Sequence, residues 1–293
     1  MREIPGKLFW RWSAALLLCL SVGSAWGGND LLWRIDDAQG QHLGWLMGTI
    51  HSDDERVLDL PAPVLDALES SRTYVWELRD ENMDPTLMLM AMMLPGGGKL
   101  VDLIGEADMQ RVRSVLERHG YPALVADHMK PAMAALLMSY PPPRNGLFLD
   151  LKLKQLAQAR GLSTTGLEEV AEQLGIFDAL SGEESVRFLR ATLNELEAQP
   201  EWMERLHRAY LARDLDALAE LALANSGLGD YPDLEAKLFD LVLHRRNRLM
   251  AERLQPLLKQ GDVFVAVGAL HLAGDGGLVD RLRDAGYELS PVH

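Results

Sequence analysis

One short segment near the carboxyl terminus constrains the fold more than any other part of the sequence. Within residues 262–269, the five consecutive residues 263–267 are all apolar. A run without polar alternation is typical of a strand that is buried on both faces. We therefore expect a fold that is built on a sheet, with this strand buried inside it.

Further strand candidates cluster at the two ends of the chain and near its middle. They are short apolar runs bounded by turn residues, at 31–35, 42–50, 73–78, 162–167 and 287–292. Helical spacing of apolar residues predominates between them, over 85–140 (with amphipathic stretches at 100–119 and 123–140), 147–160, 169–259 and 278–285. We therefore predict an α/β (α+β) fold with a small central mixed sheet, in one domain spanning 28–293 with a large helical insertion at about 84–160.

The first 27 residues have the pattern of an export signal. The basic residues Arg2, Lys7 and Arg11 precede an apolar stretch at 13–22, and small residues occupy the first and third positions of 25–27. The apolar stretch is shorter than the roughly 20 residues that a membrane-spanning helix needs. We predict a signal peptide over 1–27 that is cleaved near Gly27, and a periplasmic or secreted protein without a stable membrane anchor after cleavage.

The charge balance and the cysteine content exclude several classes of protein. The formal net charge is −14, which argues against nucleic acid as a partner and against docking on anionic lipid through a basic patch. The one cysteine, Cys19, lies inside the predicted signal peptide and follows Leu18 rather than a small residue. A disulfide framework within the chain and a cysteine-based zinc site are therefore both excluded, and a lipid anchor is disfavoured.

Two similar motifs follow strongly apolar strand candidates. Gly48 precedes His51 by three residues, and Gly268 precedes His271 in the same way. Open α/β sheets bind ligands beyond the carboxyl ends of their strands, and a glycine lets the backbone pass close to a neighbour. One such motif alone is typical of a structural histidine. The pair predicts a shared site, in which neutral imidazoles would bind Zn, Mn, Fe, Co, Ni or Cu.

Four further polar residues are candidates for the same site. Glu77 lies among apolar residues of a predicted strand, where a carboxylate is costly to bury unless it is paired or bound to a metal; strand alternation would otherwise turn it to solvent. Glu168 ends a predicted strand, where an acid at a helix N-terminus is the ordinary alternative. Arg246 and Asn247 lie in a helical stretch, and a solvated basic surface is the alternative for them.

Three well-known catalytic motifs are absent from the sequence. There is no Gly-x-Ser-x-Gly elbow, no His-Glu-x-x-His helix, and no Gly-Lys-Ser or Gly-Lys-Thr after the glycine-rich stretch at 274–277. Their absence disfavours an ordinary serine hydrolase, a zincin and a P-loop nucleotide-binding protein.

Taken together, these segments resemble the TraB/GumN family, and the match covers about residues 31–292. They occur in the family's order: LGWLMGTIH at 43–51, Glu77 in VWELRD, 166–168 running into 172–174, Arg246-Asn247, and GALHLAGDGG at 268–277. Two residues depart from the pattern, because many relatives have threonine in place of Glu169 and glutamate in place of Arg245.

The resemblance carries expectations about chemistry. The family includes the Tiki metalloproteases and is related to erythromycin esterases and to the haem-binding ChaN proteins. The resemblance implies an α/β core that binds a divalent metal, Mn²⁺ or Co²⁺ in preference to Zn²⁺ or Fe²⁺. The implied metal-site members are the two motif histidines and the two acids, His51, His271, Glu77 and Glu168.

The resulting hypothesis is an exported hydrolase that cleaves a peptide or ester bond of an unidentified peptide or small-molecule substrate with a metal-activated water. Glu77 would act as general base where it is not a ligand, and Arg246 or Asn247 would stabilise an oxyanion. Two alternatives stay open. One is a noncatalytic periplasmic protein that binds haem or another ligand through the same histidines, and the other is an accessory factor in polysaccharide export.

Overall fold

A six-stranded mixed sheet forms the centre of the protein. The computed structural model describes residues 30–79, 85–140, 142–198, 201–224 and 227–293, so the predicted signal peptide lies outside the described residues. The strands are β1 Leu32–Asp36, β2 His42–Thr49, β3 Thr73–Leu78, β4 Ser163–Glu168, β5 Val263–Gly268 and β6 Glu288–Pro291. They lie in the order β4-β3-β5-β2-β1-β6. The predicted fold class is confirmed.

Four neighbouring strands of the sheet run parallel. β5 pairs with β2 on one side and with β3 on the other, β3 pairs with β4, and all three pairings are parallel. β1 and β6 add an antiparallel edge next to β2. The apolar run of β5 is fully buried from Val263 to Val267, as the absence of polar alternation predicts.

β3 and β5 part before they end. Their pairing stops at Val75 opposite Val265, whereas β3 continues beside β4 to Leu78. At Gly166 the two strands β3 and β4 approach so closely that an added Cβ would lie 2.1 Å from the carbonyl carbon of Leu78. The gap that opens between β3 and β5 gives the side chain of Glu77 room at the carboxyl end of the sheet.

Helices pack against the sheet and against one another. In the described part of the chain they are α1 Glu55–Leu58, α2 Ala62–Glu69, α3 Pro85–Met92, α4 Val101–Ile104, α5 Glu106–Arg118, α6 Ala123–Ala126, α7 Pro131–Met138, α8 Leu149–Ala159, α9 Val170–Gly175, α10 Gly182–Ala198, α11 Trp202–Leu211, α12 Leu215–Ala224, α13 Pro232–Phe239, α14 Arg245–Leu258 and α15 Leu278–Asp284. None of these helices is both long enough and apolar enough to cross a bilayer.

The buried apolar residues form two clusters. The first, the sheet core, joins the strands to α2, α8, α11, α12, α14 and α15. The second, the helical core, joins α4, α5 and α7 to α10 and α13, which follow β4 in the chain. Residues from the predicted insertion thus share the helical core with later helices, while α8 packs on the sheet. The domain boundaries themselves stay a prediction.

The two predicted amphipathic stretches each form two helices rather than one. The first breaks at Gly105, whose φ of +82° is a left-handed conformation that glycine adopts without strain. The second breaks before Pro131, which begins α7 because its ring fixes φ and it needs no hydrogen-bond donor at a helix start. Helical periodicity alone does not reveal such breaks.

Candidate active site

The two Gly-x-x-His motifs leave the sheet side by side. β2 and β5 are parallel neighbours whose last paired residues are Thr49 and Gly268. A Cβ on Gly48 would lie 3.0 Å from the Cα of Ala269, and a Cβ on Gly268 would lie 3.3 Å from Oε1 of Glu77. Each glycine therefore allows a close contact, the first between the two motifs and the second between β5 and Glu77.

An ionic group occupies the carboxyl ends of β3, β4 and β5. We name Glu77, Glu168, Arg246, Asn247 and His271 the inner cluster. Arg246 donates from Nη2 to Glu77 Oε2 at 2.6 Å and to Glu168 Oε2 at 2.6 Å, and from Nε to Glu168 Oε1 at 2.9 Å. One guanidinium thus joins two carboxylates, which satisfies the condition under which buried carboxylates are tolerated.

Both glutamates receive a further hydrogen bond from α9. Gln173 Nε2 lies 3.0 Å from Glu77 Oε2 and 3.1 Å from Glu168 Oε2. Glu168 is only 2% exposed. Because both oxygens of Glu168 accept from Arg246, this residue serves as the anchor of the guanidinium.

Glu77 is held in its ionised form. Burial opposes the charge, but the Arg246 guanidinium and the Gly268 N–H, which donates to Oε1 at 2.7 Å, outweigh it and lower the pKa of Glu77 to about 2. A carboxylate of such low basicity is a poor proton acceptor and a suitable metal ligand or counter-ion.

His271 is buried and has a defined tautomer. Asn247 donates from Nδ2 to the Gly276 carbonyl at 3.2 Å, which leaves its Oδ1 to accept from His271 Nδ1 at 2.6 Å. The lone pair of His271 is then on Nε2, which lies 3.9 Å from Glu77 Oε1. Burial lowers the pKa of His271 to about 4. The imidazole is therefore neutral at physiological pH, with a free lone pair beside a carboxylate.

A π-helical turn delivers Arg246 and Asn247 to the inner cluster. The turn spans Asp240–His244 and runs without interruption into α14. π-Turns insert one extra residue into a helix and occur often at functional sites. No sequence signal in this stretch predicted the turn.

His51 belongs to a second, more open group. We name His51, Tyr140, Phe148 and Asp150 the outer cluster. The His51 ring stacks on Phe148 with centroids 4.2 Å apart and lies 5.0 Å from the ring of Tyr140. Its Nδ1 lies 3.6 Å from Asp150 Oδ2, and 48% of the side chain is exposed.

Tyr140 connects the two clusters electrostatically. Desolvation of its hydroxyl and the negative charge of Glu77 raise the pKa of Tyr140 to about 12, and Asp150 acts in the same direction. The residue keeps 40% of its surface accessible, so it lies at the mouth of the site. Its hydroxyl retains its proton at neutral pH and can donate a hydrogen bond.

The loop that precedes Phe148 is hydrogen-bonded to the segment that follows His51. Asp53 Oδ2 accepts hydrogen bonds from three consecutive backbone N–H groups, at 2.6 Å, 2.7 Å and 3.0 Å, in residues 144–146. These bonds lower the pKa of Asp53 against the opposing effect of burial. The segment therefore fixes Phe148 over His51.

A serine, a histidine and an aspartate also lie close together in and behind the segment that follows His51. A 2.8 Å hydrogen bond joins Ser52 Oγ and His207 Nε2, and His207 Nδ1 lies 3.8 Å from Asp54 Oδ2. Ser52 is 1% exposed, so no substrate can reach its hydroxyl. The three residues therefore stabilise the segment that follows His51 and do not form a nucleophilic triad.

The structure brings five of the six predicted site residues into the inner cluster and places the sixth, His51, in the outer cluster. Sequence reasoning missed Tyr140, Phe148 and Asp150, none of which carries a motif of its own. Glu169, one of the two residues that depart from the family pattern, accepts from Arg79 at 3.0 Å and caps α9. It does not join the inner cluster.

Comparison with known proteins identifies the family of the chain. The model of the TraB/PrgY/gumN family matches residues 31–291. The chain belongs to the TraB/PrgY/gumN family. Within it, the chain is similar to proteins named Metalloprotease TIKI2, with 27% identity over 89% of the chain and 60% of the Danio rerio protein, and 27% over 95% of the chain and 67% of the Xenopus tropicalis protein.

One bacterial relative matches over nearly its whole length. The uncharacterized protein YbaP of Escherichia coli is 23% identical over 90% of the chain and 97% of the relative. The chain thus spans 60% of the zebrafish TIKI2 and almost all of YbaP. The name metalloprotease is that of the TIKI relatives and is not carried over to this chain by the match itself.

The donors of the site fit the divalent metal that this family resemblance implies. In the described ranges no three His, Cys, Asp or Glu side chains form a ready-made metal group. The chemistry is nevertheless suitable, because His271 presents a neutral Nε2 whose other nitrogen is held by an amide, and Glu77 presents an ionised carboxylate beside it. The ligand role predicted for Glu168 stays a prediction, since Arg246 engages both of its oxygens.

Proposed function

We propose that the protein is an exported, metal-dependent hydrolase of peptide bonds, with ester bonds as the second substrate class. The observation that carries the proposal is the position of His271. Its free Nε2 lies 3.9 Å from an ionised carboxylate at the carboxyl ends of the central strands, where the chain segment of His51 also leaves the sheet. The metalloprotease names of the TIKI relatives support the same reaction class.

His51, His271 and Glu77 would hold the ion, which we propose to be Mn²⁺ or Co²⁺; Zn²⁺ and Fe²⁺ accept the same donors. Such an ion, when bound, would supply hydrolytic chemistry by lowering the pKa of water, towards about 7 in the best zinc sites. Of the two roles that the sequence predicted for Glu77, the low pKa favours metal binding over general-base catalysis.

The remaining residues of the site position these groups and receive the substrate. Arg246 balances the charges of the two glutamates, and Asn247 sets the tautomer of His271, so the hydrogen bonds of both residues are directed to protein atoms. The oxyanion role predicted for them stays a prediction. Tyr140 keeps its proton and stands at the open side of the site, where we propose that its hydroxyl donates to the substrate carbonyl.

Elemental analysis of protein purified without chelator tests this function. We expect about one equivalent of Mn, Co, Zn or Fe per chain in the wild type and a loss of metal in His51→Ala and in His271→Ala. His244→Ala removes an exposed histidine that directly precedes α14. It serves as the matched control and should retain the metal. Chelation should abolish hydrolysis of a casein or p-nitrophenyl ester substrate, and the metal should restore it.

Two results would contradict the proposal. A wild type that takes up no metal even after incubation with Mn²⁺, Co²⁺, Zn²⁺ and Fe²⁺ would exclude a metallohydrolase. A Soret band after haem addition that disappears in His271→Ala would instead favour the haem-binding alternative.

Export is tested separately. Cell fractionation should place the protein outside the cytoplasm, and amino-terminal sequencing of the purified protein should begin close to Gly28. A cytoplasmic protein that retains residues 1–27 would contradict the proposed export.

A further inference from the structure

Asp150 has one carboxylate oxygen that the packing around it does not satisfy. It lies in the first turn of α8, and its Oδ1 accepts a hydrogen bond from Thr49 Oγ1 at 2.5 Å. Its Oδ2 is buried and has no hydrogen-bond partner among the described residues. Buried acceptors are nearly always paired, so an unpaired one calls for an explanation.

The group that faces this oxygen is His51. Among the described residues, the basic atom closest to Asp150 Oδ2 is His51 Nδ1, at 3.6 Å, which is just beyond hydrogen-bond distance. No protein hydrogen bond is recorded for either ring nitrogen of His51 in the described structure, and nearly half of its side chain is exposed. The ring therefore stacks on Phe148, and in this structure no hydrogen bond of its own fixes its orientation.

The inner cluster shows what this contact does when it is closed. There, Asn247 accepts from His271 Nδ1 at 2.6 Å and leaves Nε2 with the lone pair. Histidines that bind metals commonly donate their other N–H to a carboxylate or carbonyl, which fixes the tautomer and the ring orientation.

We propose that Asp150 is the positioning residue of His51: it accepts the Nδ1–H of the imidazole and so presents Nε2 to the site. This inference rests on the proposed function, in which His51 is a metal ligand. Asp150 then has the same role for the first Gly-x-x-His motif that Asn247 has for the second.

The different charges of the two positioning residues follow from their surroundings. The inner cluster already holds two carboxylates against one guanidinium, so an amide at 247 adds no further buried charge. The negative charge of Asp150 also acts on two nearby tyrosines: burial is the main cause of the raised pKa of Tyr74 and of Tyr140, and Asp150 adds to it in both. A carboxylate also makes the imidazole more basic than an amide does, which strengthens a metal ligand.

Nitrogen-15 NMR of the histidine rings tests the inference without any metal. At a pH above the ordinary pKa of histidine, free imidazole favours the Nε2–H tautomer. We expect His51 of the metal-free wild type to be mainly the Nδ1–H tautomer, and Asp150→Ala to shift it to Nε2–H. Asp150→Asn should retain the Nδ1–H form, because an amide oxygen accepts at this position as Asn247 does for His271.

Thr49→Val is the matched control. It removes the hydrogen bond to Oδ1 but leaves the carboxylate in place, so a role confined to anchoring α8 on β2 would give Thr49→Val and Asp150→Ala the same effect. We expect Thr49→Val to keep the Nδ1–H tautomer. Asp150→Leu, which keeps the branched shape of the side chain, replaces Asp150→Ala if the smaller residue prevents folding.

Titration of the same proteins with Co²⁺ provides a second readout. Loss of a positioning residue typically weakens metal affinity about 10–100-fold, so we expect that loss in Asp150→Ala and a smaller loss in Asp150→Asn. A wild-type His51 in the Nε2–H form, or a tautomer that does not change in Asp150→Ala, would overturn the inference. Absence of Co²⁺ binding by a wild type with the Nδ1–H tautomer would overturn the proposed function and leave the role of Asp150 standing.

Discussion

The two Gly-x-x-His motifs have the same spacing, yet their histidines lie in opposite surroundings. His271 is 4% exposed and is fixed by Asn247. The side chain of His51 is 48% exposed and is held between aromatic rings, with its acceptor 3.6 Å away. The motif therefore determines where each histidine leaves the sheet, and the neighbouring helices determine how tightly it is held.

This difference suggests that the inner cluster is part of what stabilises the fold, whereas the outer cluster is free to adjust to a ligand. Charges in the inner cluster depend on each other, because Arg246 is shared by Glu77 and Glu168. The outer cluster contains one carboxylate and a ring that can turn. The predictions below test this contrast.

The largest effect should come from removing the shared charge of the inner cluster. Arg246→Met leaves Glu77 and Glu168 without a cation, and breaking a buried ion pair in this way costs about 3–5 kcal/mol. We expect that loss in the free energy of unfolding, measured by urea denaturation. Asp150→Asn, the corresponding loss of charge in the outer cluster, should cost less than about 1 kcal/mol.

A double variant checks the cause of that loss. Arg246→Met combined with Glu168→Gln removes one of the stranded charges, so it should be more stable than Arg246→Met alone. A single Arg246→Met variant as stable as the wild type would show that the glutamates do not depend on the guanidinium.

Acidification should destabilise the inner cluster. Burial lowers the pKa of His271 from 6.5 to about 4, so between these values the unfolded chain binds a proton that the folded chain does not. Stability is therefore fully present above pH 6.5 and is lost as the pH falls towards 4, by on the order of 3 kcal/mol. The low pKa of Glu77, about 2, continues the loss below pH 4.5.

Urea midpoints measured as a function of pH check this dependence. His51→Ala should keep the loss between pH 6.5 and 4, whereas His271→Gln should remove most of it; the remainder comes from His207, whose pKa burial also lowers. Stability that increases on acidification through this range would contradict a buried, neutral His271.

The glycines of the two motifs should differ as well. A Cβ at position 48 would meet the backbone of Ala269 at 3.0 Å, which cannot move easily, whereas a Cβ at 268 would meet the movable carboxylate of Glu77 at 3.3 Å. We expect Gly48→Ala to cost about 1–3 kcal/mol of unfolding free energy and Gly268→Ala less. Thermal denaturation of the two variants measures these losses. A larger loss in Gly268→Ala than in Gly48→Ala would contradict the prediction.

The smallest effect is expected for the outer histidine itself. His51→Ala should change the free energy of unfolding by no more than about 1 kcal/mol, since the side chain is half exposed and a single hydrogen bond to Asp150 contributes about that much. Parallel urea denaturation with His271→Ala provides the comparison. Equal losses in the two variants would mean that the two clusters are equally rigid.

Local patterns in the sequence predicted the strands and most of the inner cluster. The strand of residues 263–267 was recognisable because its apolar run is contiguous, and Glu77 was recognisable because a carboxylate among apolar residues needs a partner. The ordinary alternative for Glu168, a helix N-terminal acid, applies instead to its neighbour Glu169, which caps α9.

The remainder of the site depends on contacts between distant segments. Asp150 and Thr49 are 101 residues apart in sequence and meet only because α8 packs against the end of β2. The roles of Arg246 and Asn247 were also beyond the sequence, because whether a polar side chain meets the substrate or the protein depends on what surrounds it. Tertiary packing decides both questions.

The π-helical turn at Asp240–His244 has a consequence for how such a site evolves. An α-helix advances by about 100° per residue, so one inserted residue puts everything that follows out of phase with what precedes it. Before the turn the helix faces the helical core through Leu238, and after it the sheet core through Leu254. A one-residue deletion here would rotate Arg246 and Asn247 away from the strands without replacing either residue, so this chemistry can be gained or lost through a change in length alone.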